Sequence, residues 1–170
     1  MKNIYESSFN KIEYSEKLKL LEINWLQKTE SMTDSQYKSE FLTNLSISQN
    51  YNFNKLIVDE RQFHFERSEE IQNWANNIIN GKLLKKSNKI KMAIVYNQKS
   101  MQKIGIKKMM TQMELKDIEI LYFESKEDAH DWLLKGEITP SDRRVLLFLN
   151  NVFTEFTNRS DDEKLLFHSK

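Results

Sequence analysis

Apolar and polar residues in this chain alternate with two different periods, and the changes of period mark the elements. Leu56-Ile57-Val58 is a continuous apolar run between the polar stretch Asn50-Tyr51-Asn52-Phe53-Asn54 and the charged triplet Asp59-Glu60-Arg61. A short run with β-branched residues predicts a strand buried on both faces. It is placed over 55–60, at the centre of a sheet. Two further runs, Ile90 to Tyr96 and Ile118 to Phe123, predict strands of the same kind.

Helical spacing fills the gaps. Thr33-Asp34-Ser35-Gln36 has the form of a capping box. Tyr37, Phe41 and Leu45 follow at i, i+4 and i+8, with Leu42 beside them, which predicts a helix over about 33–49. Ser68 precedes two acids, Glu69 and Glu70, which suit the positive end of a helix. Ile71, Trp74, Ala75, Ile78 and Ile79 continue that helix until Gly81 interrupts it, with fraying as far as Lys86. A third helix starts at Lys99 or Ser100 and turns Met101, Ile104, Met109 and Met113 inward. A fourth starts at Ser125, buries Ala129, Trp132 and Leu133, and stops at Gly136.

Residues 3–26 read as a β-hairpin. Ile12 and Tyr14 alternate with polar neighbours, then Leu18 and Leu20, then Ile23 and Trp25, about a turn at Ser15-Glu16-Lys17. The break at Leu20-Leu21 marks either a bulge or a second buried face. Strands that alternate with helices imply parallel pairing through crossovers. The expected fold is α/β, with a mixed sheet of about five strands, over a domain of 1–136.

Residues 137–170 form an extension. Thr139-Pro140-Ser141-Asp142 is a helix start, with Pro at the first position. A helix over about 140–156 would carry Val145, Leu149, Val152 and Phe156 on one face. Leu146, Phe148 and Phe153 spill around it, and a loose tail follows. One amphipathic face needs only one stripe. Burial against a second copy accounts for the excess, so a homodimer is expected, with Val145, Phe148, Leu149, Val152, Phe153 and Phe156 at its interface. The alternatives are a lid over the chain's own domain and an edge strand.

Composition narrows the function. The chain has 170 residues, 26 basic against 25 acidic, with a net charge of +1. Lys and Glu are interspersed, and nucleic-acid binders show a basic stripe, so nucleic acid is not an expected partner. The absence of Cys removes thiolate metal sites, disulfides and Cys nucleophiles. No apolar run has the length of a membrane span, and the first residues lack the apolar core of a secretion signal. A cytoplasmic location is expected.

The order of elements over about 3–135 resembles the STAS domain, the fold of sulfate-transporter tails and anti-sigma-factor antagonists. One local feature carries the resemblance further. The family has an apolar strand ending near an acidic or amide residue, and nine positions later a phosphorylatable Ser that opens a helix within a pattern like Asp-Ser-Ser-Gly. Here Leu56-Ile57-Val58-Asp59 is followed by Ser68 at that spacing. Arg67 stands where the family has Asp, and Glu69-Glu70 where it has Ser-Gly. The chain looks more like the broad STAS-like (SpoIIAA-like) group of small bacterial proteins than like a sigma-pathway antagonist. The resemblance implies a non-enzymatic regulatory or protein-interaction module without the usual phosphoswitch.

Candidate site residues lie at the carboxyl ends of the parallel strands, where open α/β sheets bind ligands. These are Asp59 and Arg61, Tyr96 and Asn97, and Glu124. A structural ion pair is the simpler reading of Asp59 and Arg61. Ser68 reads as a helix cap first and a phosphosite second. His64, His130 and His168 are scattered, so no metal site is expected, and no cofactor fingerprint is present. Phe41, Phe63, Phe65, Trp74 and Trp132 keep two alternatives open: a carrier of a small apolar ligand or lipid, and, more weakly, an enzyme at the strand ends.

Overall fold

Sheet order and chain order coincide. Strands β1 (Lys2–Glu6), β2 (Asn10–Ser15), β3 (Leu20–Trp25), β4 (Lys55–Asp59), β5 (Ile90–Val95) and β6 (Ile118–Phe123) lie side by side in that sequence. The first three pair antiparallel, and β3 through β6 pair parallel. The fold is therefore α/β with a mixed sheet. Helices α1 (Asp34–Asn50) and α2 (Glu69–Lys82) connect parallel strands, and α3 (Lys126–Lys135) follows β6. The computed structural model describes residues 1–82, 89–96 and 118–136, all within the unit Met1–Glu137. The helix expected from about 100, Asn97 and the extension with Val145, Phe148, Leu149, Val152, Phe153 and Phe156 lie outside the described residues.

The two faces of the sheet are covered differently. Ile12, Leu21, Ile23, Leu56 and Ile90 share one face and pack with Phe53, with Ile47 of α1 beside them. On the same face Trp25, Met32, Tyr37, Phe63 and Ile71 form a second cluster, with Phe41 and Trp74 at its rim. Successive crossovers stepping one way along a sheet put their helices on one side, and α1 and α2 obey this. α3 returns over the other face, burying Ala129, Trp132 and Leu133, with the Trp132 ring centroid 5.6 Å from that of Phe123.

The helix boundaries follow their caps. Gln36 N–H donates to Thr33 Oγ1 (3.3 Å), and Thr33 N–H donates back to Gln36 Oε1 (2.8 Å), completing the capping box. Gly136 ends α3 at φ 75°, and its N–H reaches the Trp132 carbonyl. A left-handed C-cap of this kind suits Gly, which has no Cβ to clash. No helix among the described residues is long and apolar enough to cross a membrane.

The expected antiparallel hairpin is present as β2 and β3, and β1 extends it by one strand. The result is a three-stranded meander, and the sheet has six strands among the described residues. The β2–β3 turn occupies 16–19, with Lys19 at φ 48°, and Leu18 lies exposed in it rather than alternating into the core. The Leu20-Leu21 break is a second buried face, since both residues are fully buried. The bulge sits instead in β1, between Asn3 and Tyr5. It lets Ile4 and Tyr5 both pack on the core, which hid the strand's period of two.

The face of α1 also differs. Tyr37 and Leu45 are buried, whereas Leu42 is 41% exposed. In its place the polar row Glu40, Asn44 and Ser48, one residue per turn, faces inward.

Candidate functional site

The carboxyl end of β4 separates two polar clusters, one on each face of the sheet. On the α3 face Asp59 is buried and Arg61 is half-exposed. The Arg61 guanidinium grips the carboxylate with a fork, Nε to Oδ1 at 3.0 Å and Nη2 to Oδ2 at 2.7 Å, and the Arg61 N–H adds a third bond to Oδ1 at 3.1 Å. Such bidentate geometry is strong and specific. The hydrogen bond to Asp59 holds the Arg61 guanidinium above its usual range, against the effect of burial.

Beside this pair is a cluster that the sequence reading missed. Glu22, on β3, has a side chain only 3% exposed. Lys126 Nζ lies 2.6 Å from its Oε2, and His130 Nε2 lies 2.8 Å from its Oε1. Lys126 also donates to Asn24 Oδ1 at 2.9 Å. Lys126 and His130 are one helical turn apart on α3, so both point down onto one carboxylate. In the sequence, Glu22 sits between Leu21 and Ile23 in a mostly apolar strand. That position was the available signal, because a charge inside such a strand needs a partner.

On the α1–α2 face, Arg67 turns inward. Its guanidinium lies 4.9 Å from the Phe63 ring centroid and 3.8 Å from Glu60, with the Tyr37 phenol also favouring its charged form. Burial pulls the Arg67 proton affinity down, but Glu60 and Tyr37 outweigh it, and the net direction is up. Burial also raises the Tyr37 phenol, with Arg67 opposing. Tyr122 is pushed up to about 12, by burial first and by Glu60 second, again with Arg67 opposing. The folded state thus holds phenol protons that the unfolded chain, with phenols near 10, would release. Stability is fully present below pH 10 and falls as pH rises from about 10 to about 12. Urea unfolding of the native chain and of Tyr122→Phe at about pH 9 and about pH 11 checks this. The variant should lose less stability between them, and parallel losses would disprove it.

Segment 61–68 joins these clusters. It is not a strand, yet its side chains alternate. Phe63 is buried and Phe65 and Arg67 are half-buried, while Gln62, His64, Glu66 and Ser68 are exposed. The inward rings are locked together: Phe63 meets Trp25 at 5.1 Å, and Phe65 stacks on Tyr37 at 5.0 Å. The backbone is pinned as well. Thr29, fully buried in the 3-10 turn Gln27–Ser31, accepts the His64 N–H at 2.9 Å, and its hydroxyl lies 3.2 Å from the Gln62 carbonyl. Thr29 stands among polar neighbours, Gln27-Lys28 and Glu30-Ser31, so its role was not legible locally.

Ser68 occupies a cap. Its Oγ accepts the Ile71 N–H at 3.2 Å, the arrangement that satisfies a free donor of the first turn. Ser68→Ala should lower stability by about 1 kcal/mol, measured by chemical denaturation. A loss below about 0.3 kcal/mol, the level at which a Gly replaces a cap, would deny the hydroxyl this role.

The candidates from the strand ends are distributed as follows. Asp59 and Arg61 come together, facing α3. Tyr96 is buried, with its ring centroid 6.4 Å from that of Tyr122. Tyr122 is in register with Ile94, which puts these rings on the opposite face from Asp59. Glu124 is exposed beyond β6. No family model, curated protein or solved structure matches the chain.

Proposed function

We propose that the protein is a non-enzymatic regulatory module of STAS-like fold that binds a protein partner through segment 61–68. The observation that carries this reading is the alternation in that segment. Phe63, Phe65 and Arg67 anchor it to the core, and Gln62, His64, Glu66 and Ser68 are displayed outward. A surface held in its bound shape loses little entropy on association. Loops fixed on a rigid scaffold are common recognition elements. The charged groups at the strand ends are meanwhile engaged with one another, Asp59 with Arg61 and Glu60 with Arg67.

A photo-crosslinking residue at Gln62 or His64, in cells that make the chain, tests the reading. One protein should be captured from both positions and not from Ser46, which is exposed on α1. Capture equal at all three, or at none, would overturn it. Native mass spectrometry of freshly purified protein addresses the rival reading of a small-ligand carrier. The rings of Trp25, Tyr37, Phe63 and Phe65 pack directly on one another, as core side chains do. The bare chain mass is expected, and a reproducible adduct would favour the carrier.

The cytoplasmic location and the homodimer through 140–156 belong to this proposal and rest on the sequence alone. Sedimentation of the full chain and of a version ending at Gly136 tests the dimer. A full-length monomer at tens of micromolar, roughly where a weak interface registers, would exclude it.

A further inference from the structure

The corner where α1 crosses the β1–β2 turn gathers polar groups that the apolar core does not require. Asn10 is fully buried. Its Nδ2 donates to Asn44 Oδ1, while its Oδ1 has no hydrogen-bond partner. One turn before Asn44 on the same face stands Glu40, 9% exposed. The Tyr5 hydroxyl donates to Glu40 Oε2 at 3.1 Å, and the Ser7 and Thr43 hydroxyls flank Tyr5. Among the described residues no Lys, Arg or His forms an ion pair with Glu40.

Two deficits therefore share one corner. A largely buried carboxylate has no ion-pair partner among the described residues, and an amide oxygen is buried without a donor. Each is unfavourable by itself in a low-dielectric setting. Carboxylate, amide carbonyl and hydroxyl oxygens together form a donor set for hard cations. With a single carboxylate, one positive charge balances the site. Tyr5 is only half-buried, which leaves an ion a route from solvent. We propose that this corner binds one monovalent alkali cation through the Glu40 carboxylate and Asn10 Oδ1, with the Tyr5 hydroxyl oxygen beside them. The site lies apart from segment 61–68 and does not depend on the interaction reading.

Thermal melting in potassium, sodium and choline chlorides at equal ionic strength tests it. The midpoint should rise saturably in potassium or sodium over choline. Glu40→Gln should abolish the rise, and Glu13→Gln, at the Lys11 ion pair on the opposite face, should keep it. Asn10→Asp supplies a second carboxylate and should give a calcium response half-saturating at least about tenfold below that of the native chain, because ligand charge count sets calcium affinity. Equal midpoints in all three salts would overturn the proposal, as would a rise that persists in Glu40→Gln. Should Glu40→Gln fail to fold, an Asn10→Asp protein without a calcium gain overturns it instead.

Discussion

Glu22→Ala is expected to destabilise the protein by about 3–5 kcal/mol, the range for removing one partner of a buried ion pair. The carboxylate is the common acceptor for Lys126 and His130, and its loss leaves both side chains facing the sheet without that acceptor. Lys126 keeps only its bond to Asn24. Because these contacts tie α3 to β3, the loss should fall first on α3. Trp132, buried there at 2% exposure, reports it by fluorescence. Urea denaturation of Glu22→Ala, Lys126→Met and the double variant separates the contributions. The double variant should be less destabilised than the sum of the singles, because the partners no longer strand each other. A loss below about 1 kcal/mol for Glu22→Ala would place the pair with surface ion pairs and remove it as the anchor of α3.

Phe63→Ala should cost about 3–5 kcal/mol, as large-to-small changes at buried aromatic positions do. Phe63 touches Trp25 and Tyr37 with ring centroids at 5.1 and 6.1 Å, and it carries the Arg67 guanidinium on its face. Its removal therefore takes away the inward anchor of segment 61–68 as well as core volume. Hydrogen exchange distinguishes the two effects. The Phe63 and His64 amides, bonded to the Glu60 carbonyl and the Thr29 hydroxyl, should lose protection well beyond the global change. Crosslinking from Gln62 should fall with them. Exchange at these amides that merely follows global stability would mean that the segment is held by its backbone bonds, not by its rings.

The helix starts at Thr33, Ser68 and Ser125 and the stop at Gly136 are legible in the sequence because caps are local chemistry: the bonds run between residues a few positions apart. The parallel strands are legible for a similar reason, since a run buried on both faces must be apolar throughout, as Leu56-Ile57-Val58 is. The Asp59–Arg61 pair, two residues apart, is local as well. Only the tertiary structure decided which polar residues go inside. Glu22 is buried because α3, more than a hundred positions later, brings Lys126 and His130 over it. Glu40 and Asn44 lie on the inner face of α1 because Tyr5 of β1 and Asn10 of β2 meet them there with polar groups. Thr29 matters because segment 61–68 passes over it. In each case the partner that offsets the desolvation of a buried polar group comes from a distant part of the chain, and periodicity, which compares a residue only with its neighbours, carries no information about it.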